Sequence, residues 1–142
     1  MTVNQHSTTE TCHPPRRGKK YFSITEANRA LPYVARVVDD IVRTYDQAVA
    51  LRKRIEQPHP EDSVEAVKNG YEKEMDHLNR LIEELHQVGV ELKDFERGLI
   101  DFPAVHEGRE ILLCWHRGES AIQAWHEVDA GYAGRQDVAL LL

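Results

Sequence analysis

Two long stretches of the chain repeat apolar residues at alternating three- and four-residue steps, and that periodicity leaves few folds open. In the first, Leu31, Val34, Val38, Ile41, Tyr45, Ala48 and Ile55 share one helical face, with Arg52 the polar break and Asp39, Asp40, Arg43, Asp46 and Lys53 on the solvent side. In the second, Val64, Val67, Tyr71, Met75, Leu78, Leu81, Ile82, Leu85 and Val88 do the same. The "QPHPED" segment between them, Gln57 to Asp62, stops one helix with prolines and supplies acidic residues to the N-terminus of the next. Two one-sided helices joined by a short connection predict an antiparallel helical hairpin.

The ends of the hairpin carry their own signals. Ser23 and Glu26 have capping-box spacing, and Phe22 just before them can staple onto the first turn. Pro32 has no N–H and disfavours a helical Leu31, so a short first helix or turn is expected, followed by a longer helix starting near Pro32. Gly70 weakens the second helix by roughly 1 kcal/mol relative to alanine. Gly89 suits a left-handed cap, with His86 near the negative end of the helix dipole.

Beyond Gly89 the period shortens. Leu99–Val105, Glu110–His116 and Ala121–Val128 are short apolar segments separated by "HEG" and "RGES", each with a glycine that can take positive φ. The expected fold is α+β, mainly α: a helical hairpin, then a small three-stranded antiparallel meander and a glycine-rich C-terminal loop, "DAGYAGRQ". Residues 1–18 read as a disordered polar tail and residues 19–142 as one domain, with the hairpin over 19–89, the meander and loop over 90–137, and an apolar end over 138–142.

A net charge of −6 argues against nucleic acid as a partner. The basic run "RRGKK" (Arg16, Arg17, Lys19, Lys20) reads as the solvated end of the tail. No apolar run approaches the roughly 20 residues of a membrane span, and the N-terminus lacks an apolar core, so a cytoplasmic protein without membrane contact is expected. Cys12 and Cys114 lie in unlike contexts, which fits a reduced compartment and no structural disulfide.

The least common residues gather in "LLCWHRGESAIQAWHEVDAGYAGR", Leu112 to Arg135. A two-residue turn at Gly118 and Glu119 would set Trp115 opposite Ile122, Leu113 opposite Ala124 and Ile111 against His126. Cys114, His116, Gln123 and Trp125 would then share the other face. His116 and His126 point apart in that register. Cys114, His116, His126 and Asp129 are ligand types without paired C-x-x-C or H-x-x-x-H spacing, so no metal set and no cofactor is expected. Cys114 between Leu113 and Trp115 reads as buried rather than nucleophilic, and no catalytic residue is assigned. His126, Asp129, Tyr132 and Arg135, with Trp125 before them and Asp101 from an earlier strand, form the candidate ligand pocket; Arg135 suits a carboxylate or phosphate. The same residues could instead fasten the loop, and both tryptophans suit the junction of sheet and helices.

Val37, Val42, Val49 and Leu51 widen the first stripe beyond what one partner helix covers. The resulting expectation is a non-enzymatic interaction or structural module, a homo-oligomer (dimer) docked through the helical stripe. The alternative is a small-ligand- or metal-binding protein or enzyme using the C-terminal Trp/His/Asp/Arg loop.

"YFSITEANRALP", "GVELKDFERGLIDFPA", "GREILLCW" and "WHEVDAGYAGRQ" together resemble an uncharacterised prokaryotic family, domain of unknown function 2203, over about Lys20 to Asp137. The resemblance implies a cytosolic helical hairpin with a small C-terminal module and no established activity; some members carry a division-initiation label. His116 stands where the family's pattern has a non-histidine, often basic, residue.

Overall fold

The structure, a computed structural model, describes residues 13–141. Cys12 and most of the expected tail lie outside the described residues.

Helix α1 runs unbroken over Ile24–Glu56. The capping box is present: Ser23 Oγ accepts from the Glu26 N–H at 3.0 Å, and Glu26 Oε1 accepts from the Ser23 N–H at 2.9 Å. Pro32 therefore sits inside one helix, and the expected break there does not occur. An interior proline costs about 3 kcal/mol through a lost bond to the carbonyl four residues back. Packing on both sides offsets that cost, since Ala27 and Leu31 before the proline and Val34, Val37 and Val38 after it are all buried in the core. Helix α2 spans Val64–Val88, opened by Ser63 accepting from the Ala66 N–H. It is closed by Gly89 at φ 99°, whose N–H bonds the Leu85 and His86 carbonyls, as its sequence predicted.

Among the described residues the sheet has five antiparallel strands in sequential order rather than three. They are β1 Glu91–Asp94, β2 Leu99–His106, β3 Arg109–His116, β4 Ala124–Glu127 and β5 Gln136–Asp137. The two added strands are edge strands of four and two residues, too short and too charged to show an apolar alternation. The β2–β3 hairpin turns on Glu107 and Gly108, both at positive φ (52° and 77°), as "HEG" allows.

The hairpin of helices covers one face of this sheet. Ile100, Phe102, Ala104, Ile111, Leu113, Trp115 and Trp125 join Val34, Val38, Ile41, Leu78, Leu81 and Leu85 in one core. Gly98 makes the close approach possible: at φ 66°, a Cβ there would lie 2.9 Å from Val38 Cγ1 and 3.0 Å from Arg117 Cβ. Val37 and Val42, two of the positions that suggested a second hairpin, are buried within the single chain. The opposite face carries Leu99, Asp101, Pro103, Leu112, Cys114, Ala124 and His126, all also buried. It is roofed in part by an N-terminal strap that begins before Lys19, where the Glu110 N–H donates to the His13 carbonyl at 2.6 Å. Among the described residues no helix is long and apolar enough to cross a membrane.

Candidate functional site

The strand register decides which side chains can meet. The connection from β3 to β4 runs over residues 117–123, longer than the expected two-residue turn. Leu113 consequently pairs with Trp125, Cys114 with Ala124, Leu112 with His126 and Ile111 with Glu127. This is one residue away from the expected pairing, and a one-residue slip exchanges the faces of a whole strand. Trp125 points into the core and His126 to the opposite face. Cys114, His116 and His126 then share a face, where the expected register had His126 apart from the other two.

Asp101 joins them because β2 pairs it directly with Cys114. The three residues are almost wholly enclosed, with exposures of 2% for Asp101, 0% for Cys114 and 3% for His126. His126 Nδ1 lies 2.8 Å from the Glu127 carbonyl, which can only accept, so Nδ1 carries a proton. Nε2 faces the Asp101 carboxylate at 3.1 and 3.2 Å. One ligand atom from each of Asp101, Cys114 and His126 lies within 4.8 Å of the other two. Burial disfavours the imidazolium, but hydrogen bonds to Asp101, Cys114 and the Glu127 backbone outweigh it and raise the His126 pKa to about 10.

Surrounding contacts hold this geometry. The Arg109 guanidinium grips the Glu127 carboxylate at 3.0 and 2.6 Å, tying β4 to β3 beside the carbonyl that orients His126. That hydrogen bond is also the main reason the Glu127 pKa is lowered. On the far side of Cys114, Arg135 donates to the Cys114 carbonyl at 3.2 Å and to both Glu119 oxygens at 2.8 and 3.0 Å. Burial works against the Arg135 charge; the Glu119 hydrogen bonds and the proximity of Cys114 more than restore it, and its pKa is raised.

The expected pocket residues therefore separate. Asp101 and His126 come together, with Cys114 as the third member that the sequence pattern did not select. Trp125 is on the wrong face, and among the described residues its buried Nε1 has no partner. Asp129 is exposed and accepts from His13 Nε2 at 2.9 Å. Tyr132 lies at the surface with the Arg97 and Arg135 guanidinium groups 5.2 and 5.0 Å from its ring centre. Arg135 fastens the C-terminal loop to Glu119 and β3, the fastener role weighed from its sequence context.

Chemically, the arrangement is not a nucleophile–base–acid relay. In such a relay the orienting carboxylate takes one imidazole nitrogen and the nucleophile faces the other. Here the carboxylate takes Nε2, and a backbone carbonyl occupies Nδ1. Nitrogen, oxygen and sulfur atoms within 4.8 Å of one another, with the second imidazole N–H held by a carbonyl, are a donor set that could hold a transition-metal ion.

Residues 20–138 match the model of a family described as uncharacterized conserved protein (DUF2203). No curated protein and no solved structure matches the chain significantly.

Proposed function

The chain belongs to this family of uncharacterized conserved proteins, and we propose that it is a metal-binding protein, holding one divalent transition cation between Asp101, Cys114 and His126. The observation that carries the reading is the convergence of three different ligand atoms within 4.8 Å inside a buried patch of sheet. A tetrahedral zinc site places its ligand atoms roughly 3.5 Å apart, so small rotamer changes would close this set on an ion. Deprotonated Cys114 and Asp101 would balance the charge of a divalent cation, which matters where almost no water reaches. Imidazole and thiolate together favour zinc or another late first-row ion over magnesium or calcium.

Three protein ligands leave a fourth position for water or a small ligand. The enclosure of all three side chains supports a tightly held ion rather than one open to exchanging substrates. Docking of a second copy through the helical stripe is a separate proposal; Val37 and Val42 are buried within one chain, which leaves the half-buried Val49 and Leu51 to such a contact.

Native mass spectrometry of the full-length protein with one equivalent of zinc tests the reading. The expected result is a single retained ion that Cys114→Ala and His126→Ala each release, with circular dichroism checking that each variant is folded. Zinc retained equally by both folded variants would place the ion elsewhere and overturn the assignment.

A further inference from the structure

The basic run "RRGKK" is solvated as expected at Arg16, Arg17 and Lys20, while Lys19 is half-buried. Lys19 donates its N–H to the Arg16 carbonyl at 3.3 Å, and Gly18 takes φ 84° in the turn between them. The turn brings Arg16 and Lys19 to the rim of one cleft, of about 520 Å³, between the N-terminal strap and the outer face of the sheet. Lys93 from β1 lines the same cleft, and Leu112 and Val128 give it an apolar floor.

The charges in this cleft do not cancel. Its two carboxylates are engaged from within: Glu110 by Lys19 and by the Tyr21 hydroxyl at 3.2 Å, Glu91 by Lys93 at 3.0 Å and by Lys19 at 3.8 Å. His13, the remaining titratable group, is paired with Asp129 at 2.9 Å. Arg16 commits only backbone groups, its carbonyl to the Lys19 N–H and its N–H to the Tyr21 hydroxyl at 2.9 Å, and among the described residues its exposed guanidinium makes no ion pair. Lys19 and Lys93 offset Glu110 and Glu91, so the Arg16 charge is left over in a concave site on a chain whose net charge is −6. A planar fork of donors above an apolar floor is suited to an oxyanion with a small hydrophobic body.

We infer that this cleft binds a small organic oxyanion, a phosphate or carboxylate head held by Arg16 with Lys19 and Lys93 beside it, and an apolar portion over Leu112 and Val128. The inference stands on the cleft's own residues and not on the metal reading. Leu112 is the cross-strand neighbour of His126, and Glu91 that of Asp101, so the ligand would lie on the same face as the Asp101–Cys114–His126 cluster.

The test is isothermal titration of phenyl phosphate and of benzoate into the full-length chain, kept metal-free so that chelation by a bound ion cannot contribute. The expected result is saturable one-to-one binding of at least one probe at low ionic strength, weakened tenfold or more by Arg16→Ala and partly restored by Arg16→Lys. Gly18→Val, which strains the turn carrying Arg16, should weaken it as well. Preference for phenyl phosphate would assign a phosphate ester, and preference for benzoate a carboxylate. No saturable binding of either probe, or binding indifferent to Arg16→Ala, overturns the inference. Either failure leaves the zinc experiment unaffected, and loss of zinc binding would leave this one unaffected.

Discussion

Raising the pH of the metal-free protein should destabilise it through a single side chain. His126 is held protonated in the folded chain with a pKa of about 10, against 6.5 for a free imidazole. A group whose folded pKa is raised contributes its full stabilisation below the unfolded value and loses it as pH rises through the folded one. The window is therefore about pH 6.5 to pH 10. At about 1.4 kcal/mol per pH unit, the loss across it is on the order of 5 kcal/mol, a large part of a small domain's stability. Urea unfolding of the chelator-treated wild type at pH 6.5, 8 and 9.5 would measure the slope, with imidazole chemical shifts reporting His126 directly. Asp101→Asn supplies the control. Losing the carboxylate 3.1 Å from Nε2 should cost roughly 3–5 kcal/mol at pH 6.5 and abolish most of the slope. A wild-type stability that is flat from pH 7 to 9.5, or a His126 titration below pH 7, would refute the reasoning.

Other consequences follow from the same contacts. Zinc affinity should rise between tenfold and a hundredfold per pH unit near neutrality, because His126 and Cys114 must give up protons to bind; competition titrations at pH 6.5, 7.5 and 8.5 would show it, and a flat profile would contradict it. Gly98→Ala should destabilise by about 2–4 kcal/mol, since it adds a Cβ 2.9 Å from Val38 at φ 66°. Gly108→Ala, at φ 77° with open space around it, should cost only about 1 kcal/mol; similar thermal shifts for the two would refute the packing account. Trp115→Phe should cost about 1 kcal/mol more than Trp125→Phe in denaturant unfolding, because among the described residues Trp115 donates its N–H, to the Glu119 carbonyl at 2.9 Å, and Trp125 does not.

The helical half was legible because its information is local. Stripe, cap and stop are written in residues three or four apart, and the Ser23–Glu26 box and Gly89 cap formed as their spacing required. Pro32 was misread because a local rule met a non-local packing gain: the helix is held on both sides of the proline by the sheet and α2. The edge strands were invisible for the opposite reason. Glu91–Asp94 and Gln136–Asp137 owe their pairing to neighbours and show no pattern of their own.

The site depended on one integer, the length of the connection after His116. A two-residue turn there places Cys114 and His126 on opposite faces, and the observed connection places them on one. Asp101 had to come from a third strand, where only the β2–β3 pairing sets it beside Cys114. Conspicuous residues misled in the other direction. Trp125 and Arg135 drew the expected pocket toward the C-terminal loop, yet one faces the core and the other ties that loop down.

Cobalt substitution tests the metal site most directly, because the ion reports its own ligands. The account predicts that one equivalent of cobalt(II) produces intense visible bands of a four-coordinate ion together with a thiolate-to-cobalt charge-transfer band, and that Cys114→Ser removes the latter. Weak bands of a six-coordinate ion, or a charge-transfer band that survives Cys114→Ser, would show that Asp101, Cys114 and His126 do not form the site.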